Sequence, residues 1–216
     1  GTVAAWQALR AMAPLNEADP SNSCRPFSID RNGLVLGEGA AFFVLSRAAE
    51  LERAGRMPRA WLSGSAVSCD AAHLTNPEVR GQVQAMSAEL RAAGLRPEDI
   101  GYCNAHGTAT ITGDPVECEA LRQVWGVHAP ALHVSSTKAA HGHLLGAAGA
   151  LEAAWTVLAL QKREIPPTRG VSAVDPACAG LGHVLAVGIQ QAALRHALSN
   201  SFAFGGTNVT LVFSCA

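Results

Sequence analysis

The stretch "NAHGTATITGDPVE", Asn104 to Glu117, follows directly on the short apolar run Ile100–Cys103. An apolar run of that length, placed before glycines and threonines, reads as a buried strand ending in a loop. Asp114 then precedes Pro115, a favoured way to open a helix, so DPVECEALRQVWG reads as a helix with Asp114 as its N-cap. Strand, glycine-bearing loop and helix in that order are the building unit of a parallel sheet.

The same alternation continues on both sides. Residues 1–12 have a helical pattern, and residues 13–33 form a loop rich in Pro, Asn, Asp and Ser. Ala40–Leu45 reads as an apolar strand, and Arg47–Gly55 as a charged helix closed by glycine. A strand at 59–68 and a helix at 77–93 precede the quoted segment. A short strand in ALHVSST comes after it, then the apolar helix HLLGAAGALEAAWTVLALQKR, with Lys162 and Arg163 in its last turn. Strands near 182–190, 196–201 and 208–214 finish the chain. Strands that are apolar throughout imply a mostly parallel sheet covered on both faces. "GLVLGEGAAFFVLS" and "AFGGTNVTLVFS" also echo one another, each a glycine turn feeding an apolar strand.

With 216 residues, nearly half of them hydrophobic, a sizeable core is available. Lys plus Arg is 16 against 17 Asp plus Glu, a balance that argues against a nucleic-acid binder. No apolar run approaches the ~20 residues of a membrane span. The six cysteines form no CxxC pair and no zinc spacing, which points to reduced, buried thiols in a cytoplasmic protein. His141 and His143 form an HxH pair, but no carboxylate lies close in sequence and Lys138 would repel a cation, so no metal is expected.

Three glycine-rich segments each follow a strand: NAHGTATITGD, SSTKAAHGHLLGAAG and SNSFAFGGTN. Loops at the C-terminal ends of parallel strands converge, so His106, Lys138, His143 and the Phe204–Gly206 turn are expected in one pocket. His106 is either a turn histidine or an imidazole aimed at a carbonyl oxygen, with Thr108 and Thr110 placed to hydrogen-bond an extended polar chain. Asp114 and Glu117 either complement a helix dipole or hold a cation such as Lys138. His143 opens the long apolar helix, where the helix end would lower its pKa; a capping role is the plainer alternative. Gly205 and Gly206 offer either half of an oxyanion hole or a simple bulge.

Together, NAHGTAT…GDPVE, SSTKAAHGHLLGAAGA and SNSFAFGGTN resemble the C-terminal portion of a β-ketoacyl-[acyl-carrier-protein] synthase of the decarboxylating, two-histidine type. RPFSIDRNGLVLGEGAAFFVLS and SCDAAHLTNP resemble family segments too, so the likeness covers nearly the whole chain. It implies a thiolase-like α/β fold. Residues 1–58 would be the tail of an N-terminal half. Residues 59–216 would be a complete C-terminal half with a five-stranded, mostly parallel sheet.

The resemblance also implies roles. His106 and His143 would promote malonyl decarboxylation, and Lys138 would support them with Glu117 as its ion-pair partner and Asp114 nearby. Thr108 and Thr110 would bind the phosphopantetheine arm. Phe204 would be a gating aromatic whose N–H serves the oxyanion hole. Ala203, Gly205 and Gly206 would flank it, and a second loop with Asp70, His73 and Thr75 would pack against it.

Departures exist. Ile111 stands where proline is usual, His141 where threonine is common, and Ala203 where glycine precedes the gate. No cysteine here has the context of the family's nucleophile, which is expected upstream of this chain.

The expected reaction is therefore a decarboxylative Claisen condensation in fatty-acid or polyketide elongation, performed by a complete synthase, without a cofactor. Acyl-carrier protein, the N-terminal half and a second copy in a homodimer are the expected partners. A chain-length-factor-like binding subunit is the rival, disfavoured by the two histidines and the lysine. A thiolase would need a cysteine in a CxG turn, which SNSFAFGGTN lacks, and a His–Asn condensing enzyme would have asparagine at His143. An unpaired Ala40–Leu45 strand is expected to make the isolated chain prone to aggregate.

Overall fold

A computed structural model describes residues 1–216. Two short helices, α1 (Thr2–Ala8) and α2 (Ala48–Arg53), precede β1 (Trp61–Cys69) and α3 (Val79–Ala93). Then come β2 (Tyr102–Asn104), α4 (Gly113–Trp125), β3 (His133–Ser135), α5 (Lys138–His141) and α6 (Ala148–Lys162). The strands β4 (Glu164–Ile165), β5 (Gly182–His183), β6 (Ile189–Gln190), β7 (His196–Ala203) and β8 (Thr207–Ser214) follow.

The main sheet has the order β1-β8-β7-β2-β3-β5. β7, β2, β3 and β5 run parallel; β8 lies antiparallel beside β7, and the edge strand β1, antiparallel to β8, returns to the common direction. The sheet therefore has six strands rather than five, the sixth being the two-residue β5. The expected single strand at 182–190 is split, because Ala186 takes a left-handed φ of 58° and β6 pairs instead with β4.

Strand alternation explains the two covered faces. Cys103, Leu198 and Val212 pack with Met86 and Leu90 of α3 and with Leu121 and Trp125 of α4. Their chain neighbours Tyr102, Ala197 and Phe213 pack on the other face with Ala153, Val157 and Leu160 of α6. Every strand in the middle of the sheet must thus be apolar on both sides, as the sequence is. No helix is long and apolar enough to cross a membrane.

Ala40–Leu45 forms no strand. It has strand composition but no neighbour to hydrogen-bond, and Phe42 and Val44 are 95% and 97% exposed. A contiguous apolar run this exposed is an association surface. The isolated chain is expected to elute as oligomers in size-exclusion chromatography, and Phe42→Ser with Val44→Ser to shift it toward monomer. A monomeric wild-type chain would contradict this.

Glu89 of α3 is fully buried, and neither of its carboxylate oxygens is hydrogen-bonded. Burial pushes it from the ordinary 4.5 up to about 8. The folded chain thus binds a proton the unfolded chain has released, and stability falls as pH rises from about 4.5 to about 8. Glu89→Leu is expected to stabilise the protein by about 1–3 kcal/mol at pH 8 and little at pH 4. Thermal melts at both pH values check this, and an equal gain at both would contradict it.

Candidate active site

The loop after β2 is held by two carboxylates from α4. Glu117 accepts from the backbone N–H of His106 at 2.9 Å and of Gly107 at 2.8 Å, and from Asn200 Nδ2 at 3.1 Å. Burial pushes its pKa upward, and these three donors, with Lys138 nearby, oppose that rise. Asp114 accepts from Thr108 N–H at 3.1 Å and from Phe27 N–H at 2.8 Å. Burial pushes Asp114 up to about 7, against those bonds and Arg31. Asp114 is therefore not the N-cap. Thr112 holds that position, and Asp114 is the second residue of the helix, in its first turn and directed at the loop.

Arg31 ties down the rest of the loop. Its guanidinium donates to the carbonyls of Thr110, Ile111 and Ser28, each at 3.0 Å, and to Asp175 at 2.5 Å. The Thr108 and Thr110 hydroxyls sit 3.0 Å apart. This leaves the two threonines on a loop whose backbone is fixed from three directions.

Lys138, at the start of α5, is completely buried. Its ammonium donates to the carbonyl of His106 at 2.5 Å, approaches His106 Nδ1 at 3.4 Å and pairs with Glu152 of α6. An ammonium has three donors, and all three are used. The ion-pair partner is thus Glu152 and not Glu117, whose oxygens are already committed to N–H groups. Burial raises the Glu152 pKa, and the adjacent lysine opposes that rise.

His143 does not sit at a helix N-terminus. A single 3-10 turn and a left-handed Leu145 (φ 54°) separate it from Ala148, where α6 begins. It lies instead in an extended segment beside Leu36. Its N–H donates to Val35 O at 2.7 Å, and its carbonyl accepts from Gly37 N–H at 3.0 Å. Gly142 has φ 72°, and a Cβ there would meet the Gly37 nitrogen and Val35 oxygen at 3.0 Å. That close approach gives the LVLGEG segment its place in the site.

The two imidazoles meet edge to face, with ring centroids 5.4 Å apart at 85°. His143 Nδ1 accepts from Leu145 N–H at 3.2 Å. His106 Nδ1 faces the Lys138 ammonium, which has only donors to offer. Both rings must then carry their proton on Nε2. Burial, followed by Lys138 and then His141, pushes His143 down to about 3. Burial, then Lys138, then His143 pushes His106 well below 6.5. The site therefore presents two neutral Nε2–H donors at neutral pH.

These donors line a cavity of ≈ 820 Å³ with Thr108, Thr110, Phe202 and Phe204. Asp70, Thr75, Ala203 and Gly206 line it as well, whereas His73 does not; its Nδ1 accepts from Thr75 N–H at 3.3 Å. Asp70 N–H donates to Gly206 O at 2.9 Å, and Gly205 N–H donates to Leu74 O at 2.8 Å, so the 70–77 loop and the 203–206 turn are laced together. The Phe204 N–H makes no hydrogen bond within the chain. No cysteine lines the cavity, and no three His, Cys, Asp or Glu side chains are grouped to hold a metal ion.

The family model described as "Beta-ketoacyl synthase, C-terminal domain" matches residues 59–172, more than half of the chain. This chain belongs to the β-ketoacyl synthase family. Nodulation protein E of Rhizobium meliloti is 44% identical over 209 residues, covering 97% of this chain and 50% of that protein. The 3-oxoacyl-[acyl-carrier-protein] synthase 2 of Synechocystis sp. is 40% identical over 217 residues, covering 97% and 50%. A solved complex described as a type II PKS acyl-carrier protein with its ketosynthase bound to the hexaketide superposes with TM-score 0.95 at 27% identity. It covers 100% of this chain and 53% of that one. The fold is accordingly thiolase-like, and the chain spans about half the length of the curated relatives it matches.

Reasoning from the β-ketoacyl synthase sequence missed Glu152, Arg31 and Asn200. Glu152 had a readable signal, a single carboxylate inside the apolar run AGALEAAWTVLAL. Arg31 and Asn200 had none, since their partners lie 79 and 83 residues away.

Proposed function

We propose that this chain supplies the decarboxylating half of the condensing centre in a complete β-ketoacyl-[acyl-carrier-protein] synthase of fatty-acid or polyketide elongation. The observation that carries the reading is the convergence of two neutral Nε2–H imidazoles on one cavity, with Lys138 buried behind them.

An acyl group is first carried as a thioester on a cysteine from outside these 216 residues. Four of the chain's own thiols are buried and none faces the cavity. Malonyl thioester enters along Thr108 and Thr110, which hydrogen-bond its pantetheine arm. His106 and His143 donate to its thioester oxygen. The bond to the terminal carboxylate breaks, carbon dioxide leaves, and the electron pair becomes an enolate held by the two donors. The enolate carbon attacks the acyl carbonyl, whose oxygen is received by the free Phe204 N–H. Collapse of that adduct expels the cysteine thiolate, which takes up one proton, and releases the β-ketoacyl thioester. Neutral imidazoles suit this work, because a charged pair would repel Lys138.

Residues 1–58 read as the tail of one thiolase-like half and residues 59–216 as the second half. The proposed partners are acyl-carrier protein, the rest of the synthase and a second copy in a homodimer, in the cytoplasm and with no added cofactor. The type II polyketide complex supports the carrier-protein assignment by similarity. Incubation of the complete protein with malonyl-carrier protein tests the reading. Carbon dioxide release is expected, and its rate should show no acid limb at pH 6.5, because both imidazoles remain neutral well below that value. Absence of release would contradict the proposal.

A further inference from the structure

We propose that His141 is a positioning residue for His143: its ring clamps the peptide that carries His143 and so fixes where that imidazole points. The assignment rests on the function proposed above. It concerns a side chain outside the cavity, since His143 lines the cavity and His141 does not.

Both polar atoms of the peptide between Gly142 and His143 are held. The N–H of His143 donates to Val35 O at 2.7 Å. The carbonyl of Gly142 lies 2.7 Å from His141 Nδ1. A carbonyl oxygen only accepts, so Nδ1 carries a proton. Burial pushes the His141 pKa below 6.5, opposed by that bond and reinforced by Lys138, so the ring is neutral at pH 7. Nε2 of a neutral ring with its proton on Nδ1 is an acceptor, and it receives the Thr137 hydroxyl at 3.1 Å. His141 is therefore the opposite tautomer of His106 and His143, whose protons sit on Nε2.

The clamp sits where the backbone is least able to hold itself. α5 is four residues long and ends on His141. A helix of one turn has little stability of its own. Yet this turn separates the two parts of the site: Lys138 at its start holds the His106 carbonyl, and His143 follows two residues after its end. Gly142, between them, has φ 72° and ψ −173°, a region that glycine alone enters readily and that glycine is free to leave. The His141 ring spans the turn, from Thr137 just before Lys138 to Gly142 just before His143. Thr137 is buried, and its hydroxyl lies 3.4 Å from Asn104 Oδ1, two residues before His106. One ring thus ties the loop of His143 to the end of β2 that leads into His106.

The test is steady-state carbon dioxide release from malonyl-carrier protein by the complete protein. Loss of one such hydrogen bond corresponds to a change of about 2- to 12-fold. His141→Leu is expected to lower kcat by that factor while KM stays within about two-fold of wild type, because a misdirected donor costs the transition state and not the encounter. Two amide variants separate the two bonds of the ring. Asparagine places an amide N–H where Nδ1 stood and keeps the bond to Gly142 O; glutamine reaches the position of Nε2 and keeps only the bond to Thr137. His141→Asn is expected to hold kcat within about two-fold of wild type, and His141→Gln to fall as far as the leucine variant. The comparison of asparagine with glutamine stands even if the leucine variant does not fold. Equal losses in the two amide variants, a normal kcat in His141→Leu, or a raised KM at normal kcat would overturn the proposal. A wild-type protein that releases no carbon dioxide would instead remove the functional reading on which it rests.

Discussion

His143→Ala in the complete synthase is expected to slow carbon dioxide release from malonyl thioester by about 10²–10³-fold, the usual cost of one preorganised oxyanion donor. The side chain makes one hydrogen bond within the chain, accepted from Leu145 N–H, so the folded state should lose little. The enolate, by contrast, loses one of its two preorganised donors. Because the donor matters most as charge develops on the oxygen, kcat and kcat/KM should fall together while KM stays near its wild-type value. A raised KM with normal kcat would mean that the imidazole only binds substrate.

The second large effect concerns stability. Glu152→Ala removes the carboxylate from a completely buried lysine, and stranding one member of a buried ion pair typically costs about 3–5 kcal/mol. The variant is expected to melt well below wild type. Replacing both partners, Lys138→Met with Glu152→Leu, should recover most of that loss, since an apolar pair of similar volume needs no charge compensation. The double variant should still be slow in decarboxylation, because His106 Nδ1 then lacks the ammonium that fixes its tautomer. Full recovery of both stability and rate would show that Lys138 does not orient His106.

The sheet was legible because its middle strands are apolar on both faces, as Tyr102–Cys103 and Ala197–Leu198 show. Ala40–Leu45 has the same composition and no strand, because pairing needs a neighbour and composition cannot supply one. The site's loops were legible through their glycines and histidines. Which carboxylate meets Lys138 was not. Asp114 and Glu117 lie on the helix that directly follows the His106 loop, yet tertiary placement turned both toward backbone N–H groups and gave the lysine to Glu152 on a later helix. The lowered pKa of His143 was expected from a helix end, but it comes from burial and the neighbouring lysine, because Leu145 interrupts the helix first. The direction was readable from the sequence and the cause was not.

A crystal structure of the complete protein with a non-cleavable malonyl-pantetheine thioester tests the central claim most directly. The account predicts the thioester oxygen at about 3 Å from Nε2 of both His106 and His143, with the pantetheine chain running past Thr108 and Thr110. An oxygen bound away from either ring, or either imidazole turned to present an unprotonated nitrogen, would contradict it.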